Sequence, residues 1–115
     1  MSLVLLVEAD ADLGDLIRDV LEAAGYRVDR VHTQAGGLER VQRLVPDLVL
    51  LDVAAGPGRA FQEALRSHGK GEIPLVMISG DRGPQGAARA GGQGFLGVPF
   101  ERHALLEQVA SMISR

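Results

Sequence analysis

Short aliphatic runs alternate with polar stretches along the chain, and three of these runs are continuous. They are Leu3–Val7 (LVLLV), residues 47–51 (DLVLL) and residues 74–78 (PLVMI). Continuous aliphatic runs of this length are typical of strands that are buried on both faces of a parallel sheet. Two weaker runs, Arg27–Val31 and residues 95–98, predict the remaining strands, so we expect five strands in all.

Helical periodicity fills the segments between the strands. Residues 12–24 carry apolar side chains three and four positions apart, with Asp10 as the predicted N-cap and Gly25 as the stop. Thr33 is the predicted N-cap of a second helix. A helix over residues 84–92 would bury only alanines, so we expect it to be short. The apolar stripes of the other four predicted helices are Leu13, Leu16, Ile17, Val20 and Leu21; Leu38, Val41, Leu44 and Val45; Phe61 and Leu65; and Leu105, Leu106, Val109, Met112 and Ile113.

The alternation of strands and helices predicts the fold class. Parallel strands joined by helices form right-handed βαβ crossovers, and the helices then cover both faces of the sheet. The chain has 115 residues, which is a usual length for one domain. We therefore expect residues 1–115 to form a single α/β domain with a doubly wound parallel sheet.

Composition narrows the classes of function. The net charge is −3 and the chain has no basic run, so direct binding to nucleic acid or to an anionic membrane is disfavoured. No cysteine is present, which excludes disulfides and thiol catalysis. No apolar run approaches the roughly 20 residues of a membrane-spanning helix, and the first run is too short for a signal peptide. We therefore expect a cytoplasmic protein.

Residues at the ends of the predicted strands are the candidates for chemistry, because ligands of open α/β sheets bind beyond the carboxyl ends of the strands. Glu8, Asp52, Ser79 and Val98 hold these positions. Taken singly, an acid after a strand is more often a turn or cap residue, and a serine there is usually only polar. Two carboxylates and a hydroxyl that arrive from three separate strands favour a functional site.

Four segments resemble the landmark stretches of the receiver domains of bacterial response regulators, in order and with the family's usual spacing. They read LVLLVEADADL, PDLVLLDV, IPLVMISG and AGGQGFLGVPF, and they are distributed along the chain from residue 3 to residue 100. The resemblance implies a flavodoxin-like sheet with the strand order 2-1-3-4-5. It also implies a role in phosphorelay signal transduction.

The same resemblance assigns roles to individual residues. It implies phosphorylation of Asp52 by a histidine kinase or phosphotransfer protein, with Ser79 as the phosphate-sensing hydroxyl and Phe95 as the switch aromatic. It further implies a Mg²⁺ ion held by Glu8, Asp52 and the backbone carbonyl of Ala54. A carboxylate that attacks a phosphoryl group meets like charge, so a cation together with hydroxyl or amide donors suits such a site.

The predicted pocket departs from the family pattern at two charged positions. Ala9 stands where the family has a second acid, and Val98 stands where it has a lysine. Counting Glu8 and Asp52 as charged gives the resting pocket a formal charge of −2. A phosphoryl group would add about −1.5 to −2, with no ammonium group to meet it. We therefore expect weak Mg²⁺ binding and a poorly stabilised phosphorylated state.

Two mechanisms stay open for such a domain. The first is a phosphoaccepting receiver, supported by the acid and the hydroxyl at the strand ends. The second is a degenerate receiver that acts as a docking module without phosphorylation, supported by Ala9 and Val98. The turn after Asp52 also supports the second mechanism, because Gly56 and Pro57 stand in the reverse of the family's order.

A third alternative is a flavodoxin-like enzyme that binds a nucleotide or a flavin. No strand is followed by a glycine-rich loop of phosphate-binding pattern, so we expect that the chain is not an enzyme. The expected partners are a histidine kinase or phosphotransfer protein and a downstream protein or missing effector domain. A second copy of the chain, in a homodimer, is a further candidate, and we expect no direct contact with nucleic acid or membrane.

Overall fold

The computed structural model describes residues 2–80 and 94–113, which form a sheet with helices packed against it. The strands are β1 (Leu3–Val7), β2 (Arg27–Val31), β3 (Leu48–Asp52), β4 (Leu75–Ser79) and β5 (Gly94–Gly97). The α-helices of this part of the chain are α1 (Ala11–Ala23), α2 (Gln34–Arg43), α3 (Gly58–Ser67) and α4 (Arg102–Ile113), and Val53–Ala55 form one turn of 3-10 helix after β3. No helix in the described part is long and apolar enough to span a bilayer.

The sheet is parallel throughout, and its strand order is β2-β1-β3-β4-β5. This order confirms the predicted flavodoxin-like α/β fold. The chain builds the sheet outward from β1 in one direction and from β3 in the other, so the order reverses between these two central strands. Their carboxyl ends therefore flank the place where open α/β sheets bind ligands.

β3 and β4 begin and end one residue later than the sequence predicted, whereas β5 begins and ends one residue earlier. Pro74 stays outside β4 because proline has no N–H to donate to the ladder, although its carbonyl accepts from the Val49 N–H at 3.0 Å. At the other end, the ladder continues through Asp52 and Ser79. Both candidate residues are thus fixed as the last residues of their strands.

Successive side chains of the buried strands point to opposite faces of the sheet, which gives the fold two cores. On one face α1 and α4 pack against the sheet, and the shared core includes Val4, Leu6, Leu50 and Ile78 of the sheet and Ile17, Leu21, Leu105 and Val109 of the helices. On the other face α2 and α3 pack against a cluster that includes Leu5, Val7, Leu51, Met77, Val41, Phe61 and Leu65. The central strands are therefore covered on both sides, as their continuous aliphatic runs predicted.

The predicted caps fix both ends of α1 and the start of α2. Asp10 Oδ1 accepts from the Leu13 backbone N–H at 3.0 Å, and Thr33 Oγ1 accepts from the Gly36 N–H at 3.0 Å. Gly25 follows the C-cap of α1 with a φ of +96°, a conformation that costs glycine little because it has no Cβ. These three predictions are confirmed.

Two of the predicted apolar stripes were too wide. Leu16 of α1 is 55% exposed, and Leu44 and Val45 are 44% and 61% exposed. α2 ends at Arg43, because Pro46 disfavours helical backbone at the residue before it and the chain turns extended. The helix predicted over residues 84–92 lies outside the described residues.

Gly37 of α2 lies against the sheet, where an added methyl group would meet Val7 Cγ2 at 2.9 Å and Phe61 Cε2 at 3.2 Å. Both neighbours are fully buried, so the methyl group fits only if the helix shifts. We expect Gly37→Ala to lower the free energy of unfolding by about 1–3 kcal/mol, despite the better helix propensity of alanine. Gly36→Ala is the matched control, because its methyl group would first meet Thr33 Oγ1 at 3.2 Å, outside the core. Urea denaturation measures both variants, and equal stabilities would contradict this packing of α2.

Candidate functional site

Three polar side chains are buried at the carboxyl edge of the sheet. Glu8 follows β1, Asp52 ends β3 and Ser79 ends β4, and they are 1%, 9% and 5% exposed. They are the buried polar or charged residues of the described part of the chain. Val7 pairs with Leu51 in the β1–β3 ladder, so the residues that follow them lie side by side. The fold therefore brings together the acid pair and the hydroxyl that the sequence singled out.

The Glu8 carboxyl lies in an environment that disfavours its charged form. It hydrogen-bonds to the Asp52 side chain, and its Oε2 accepts from the Asp10 N–H at 3.2 Å. Its Oε1 is buried and receives no hydrogen bond from the described residues. Burial, reinforced by the hydrogen bond and charge of Asp52, raises the pKa of Glu8 to about 8, although the Asp10 N–H opposes the shift. Glu8 is therefore mostly protonated at neutral pH.

Asp52 lies at the start of a tight turn. Its Oδ1 accepts from the Ala54 N–H at 2.9 Å, which caps the single turn of 3-10 helix. Gly56 then adopts a φ of +141°, which favours glycine, and Pro57 precedes α3 with a φ of −64°. The order of glycine and proline, which departs from the family pattern, suits this turn.

β5 supplies the neighbours of Ser79 on the side away from β3. Ser79 pairs with Gly97, and the Val98 N–H donates to the Ser79 carbonyl at 2.8 Å. Val98 is half-buried against the α1–α4 core, and Phe95 is half-buried against the α2–α3 core. Val98 therefore puts an aliphatic side chain, where the family pattern has a lysine, next to the end of β4 that bears Ser79.

The donors that the sequence assigned to Mg²⁺ have suitable chemistry, because this ion prefers oxygen ligands. Glu8 and Asp52 offer carboxyl groups, and the exposed Ala54 offers a backbone carbonyl, whereas Ala9 offers only an exposed methyl group. Within residues 2–80 and 94–113, no group of three or more His, Cys, Asp or Glu side chains is arranged to hold a metal ion. The donors fit a Mg²⁺ ion that keeps several water molecules, and Glu8 must lose its proton before it binds.

Comparison with known protein sequences identifies the family. The profile of the response regulator receiver domain matches residues 4–110, so the chain belongs to this family and is a receiver domain of two-component signalling. It is 26% identical over 121 residues to the DNA-binding dual master transcriptional regulator RpaA of Synechocystis, covering 100% of this chain and 50% of that protein. Receiver domains are typically signalling modules without enzymatic activity.

Solved structures support the same fold. The chemotaxis response regulator CheY4 of Vibrio cholerae superposes with a TM-score of 0.87 at 24% identity, over 97% of this chain and 98% of that one. The receiver domain of the sensor histidine kinase PA1611 of Pseudomonas aeruginosa, solved with magnesium in its active-site cleft, has a TM-score of 0.87 at 23% identity, over 99% and 98% of the two chains. The chain spans about half the length of regulators such as RpaA.

Sequence patterns missed two features of this site. The count of two charged carboxylates is too high at neutral pH, because burial, together with the neighbouring Asp52, raises the pKa of Glu8 and keeps a proton on it. The contacts of Arg30 with the loop after β1, and of Gln34 with the loop after β3, were also missed. β2 reads RVDRV, with three charged residues in five, so Arg30 did not stand out as a signal for the first of these contacts.

The raised pKa of Glu8 predicts a stability that depends on pH in the metal-free protein. Because the folded state binds the Glu8 proton more tightly than the unfolded state does, this contribution is complete below the ordinary pKa of 4.5 and is lost as the pH rises through about 8. We expect Glu8→Gln, which mimics the protonated acid, to gain stability relative to the native chain between pH 5 and pH 9. The gain should be on the order of a few kcal/mol.

Urea denaturation in the presence of a chelator, repeated across this pH range, measures the effect. Glu107→Gln is the control, because Glu107 is exposed on α4 and its carboxylate stays in water. A stability difference between Glu8→Gln and the native chain that stays constant with pH would contradict a buried, protonated Glu8.

Proposed function

We propose that this receiver domain accepts a phosphoryl group on Asp52 from a histidine kinase or phosphotransfer protein. The observation that carries the proposal is the position of Asp52 at the end of β3, where it is buried between Glu8 and the strand end that bears Ser79. A bond forms between an Asp52 carboxylate oxygen and phosphorus, while the bond from phosphorus to the donor group breaks. Asp52 is pre-oriented for this step because the Ala54 N–H holds its Oδ1.

Ser79 and Phe95 take the roles of phosphate sensor and switch in this proposal. Ser79 ends the strand beside β3, and this position supports contact between its hydroxyl and a phosphoryl group on Asp52. Phe95 is only half-buried, which leaves its ring freer to change rotamer than the fully buried Phe61. Both assignments are proposals that rest on these positions and on the family pattern.

Glu8, Asp52 and the Ala54 carbonyl are the residues that would hold Mg²⁺. The ion supplies positive charge that neutralises phosphoryl oxygens. In this chain Ala9 contributes no ligand, and the proton on Glu8 competes with the metal, so we propose that binding is weak. Val98 in turn offers no ammonium group to the modified Asp52. Phosphorylation should therefore be slow and its product short-lived.

We also propose the partners, the location and the assembly of the domain. A histidine kinase or phosphotransfer protein acts upstream, and the output passes to a downstream protein or an effector domain, since regulators such as RpaA are about twice as long as this chain. We propose a cytoplasmic, non-enzymatic signalling domain over residues 1–115 that contacts neither nucleic acid nor membrane itself. A homodimer is a further proposed assembly. The hypothesis of a docking module that never becomes phosphorylated keeps the support of Ala9 and Val98, although the family comparisons favour the phosphorelay function.

The acceptor role is tested by incubating the protein with Mg²⁺ and a small phosphodonor such as acetyl phosphate, and following its intact mass. We expect slow modification that is absent from Asp52→Asn, because the acceptor is present while one metal ligand and the lysine are missing. Rapid, stoichiometric modification of the native chain would contradict the weak pocket. Absence of modification even after Ala9→Asp and Val98→Lys restore both groups would contradict the acceptor role.

The same restored variant tests the metal site. We expect Ala9→Asp with Val98→Lys to raise Mg²⁺ affinity at least about tenfold. Loss of a side chain that only contacts a metal ligand typically lowers metal affinity by about tenfold or more, and loss of a direct ligand should lower it at least as much. Ala110→Asp is the control for a carboxylate added away from the pocket, since Ala110 is exposed on α4. Isothermal titration with MgCl₂ measures the affinities. Equal affinity in the native and restored proteins would contradict the role given to Ala9.

A further inference from the structure

Two long polar side chains, from opposite ends of the connection between β2 and α2, reach the two loops that carry the site. Arg30 of β2 donates to the backbone carbonyl of Asp10 in the loop after β1. Gln34, the first residue of α2, donates to the backbone carbonyl of Pro57 in the loop after β3. One short segment of chain therefore contacts both loops.

The Arg30 guanidinium is largely buried and has defined partners. Its side chain is 12% exposed, Nη2 donates to the Asp10 carbonyl at 3.0 Å and Nη1 pairs with Asp15 Oδ1 at 2.9 Å. The guanidinium lies across Gly14 of α1, where any Cβ would overlap it. Gly14 therefore leaves the space that lets Arg30 cross α1 and reach Asp10.

Asp10 connects Arg30 to the pocket through hydrogen bonds. Its carbonyl accepts from Arg30 and also from the Gly14 N–H at 3.0 Å, and its side chain caps α1 through the Leu13 N–H. Its own N–H donates to Glu8 Oε2 at 3.2 Å. Among residues 2–80 and 94–113, Asp10 is the one that donates a backbone N–H to the Glu8 carboxyl, and Arg30 helps to fix Asp10.

Gln34 makes an equivalent contact with the other loop. Its Nε2 donates to the Pro57 carbonyl at 3.0 Å, and its amide lies against Gly56, where a Cβ would approach Nε2 to 2.6 Å. Gly56 has a φ of +141° and directly follows the turn whose Ala54 N–H holds Asp52. Gln34 therefore fixes the far end of the turn that orients the acceptor.

We propose that Arg30 and Gln34 are positioning residues that hold the two loops so that Glu8 and Asp52 each keep their backbone N–H donor. The proposal rests on the proposed acceptor role of Asp52. Within the loops, Asp10 caps α1, and Val53 and Ala55 pack against the α2–α3 core, whereas Ala9 and Ala54 are exposed methyl groups. Arg30 and Gln34 add a contact from outside to each loop.

Four variants separate the two contacts. Arg30→Met removes the guanidinium, and Gly14→Ala displaces it while Arg30 stays in the chain. Gln34→Leu removes the contact with Pro57. Arg40→Met is the matched control, because Arg40 pairs with Asp29 and ties α2 to β2 without touching either loop. Gly14→Ala keeps the test decisive if Arg30→Met fails to fold, since alanine favours the helix.

Amide hydrogen exchange, read by NMR on the unphosphorylated protein without metal, reports the positioning directly. We expect the Asp10 N–H to exchange roughly five- to tenfold faster in Arg30→Met and Gly14→Ala, and the Ala54 N–H to do so in Gln34→Leu. Each variant should leave the other loop's amide unchanged, and Arg40→Met should change neither. A merely structural role would instead speed exchange across the whole sheet.

Phosphorylation rates, followed by intact mass with Mg²⁺ and acetyl phosphate, complete the test. We expect the three loop variants to react roughly tenfold more slowly or worse, and Arg40→Met to match the native chain. The positioning role would be overturned if the Asp10 and Ala54 amides exchanged as in the native chain. It would also be overturned if their exchange changed selectively while the phosphorylation rates stayed the same. If the native chain and its Ala9→Asp, Val98→Lys form both stay unmodified while exchange changes selectively, the acceptor function fails and the loop contacts stand.

Discussion

The parallel pairing of β1 with β3 is the constraint on which the site depends. Because Val7 lies opposite Leu51, the chain must place Glu8 beside Asp52 at the buried edge of the sheet. Two carboxyl groups in such a place cannot both be ionised cheaply unless a cation or hydrogen-bond donors accompany them. The described residues give Glu8 one N–H donor and Asp52 another, and the proton on Glu8 relieves the remaining repulsion.

The proton on Glu8 also affects the charge of a pocket that lacks the family's second acid and its lysine. Ala9 and Val98 remove one acid and one base from the family pattern, and the proton on Glu8 removes a further negative charge at neutral pH. The unphosphorylated pocket therefore needs little charge neutralisation by a metal ion. The proposed phosphorylated state is the one that lacks stabilisation, since a phosphoryl group on Asp52 would add charge that neither a lysine nor a full set of ligands is present to neutralise.

Much of the fold was predictable, because buried parallel strands leave continuous aliphatic runs and helices leave caps such as Asp10 and Thr33. The ends of β3 and β4 were one residue off, since pairing through Asp52 and Ser79 depends on neighbouring strands and not on local pattern. The candidate acids and the hydroxyl were found from their places after strands. The protonation of Glu8 and the reach of Arg30 and Gln34 were not predictable, because they depend on contacts between distant segments.

The charge state of Glu8 is the most direct test of this picture. NMR titration of the Glu8 side-chain carboxyl carbon, in metal-free protein, follows its protonation without relying on activity. We expect a midpoint near 8, and a lower midpoint in Asp52→Asn because the neighbouring carboxylate is gone. A midpoint near 4.5 in the native chain would contradict the buried carboxyl pair as the basis of the site.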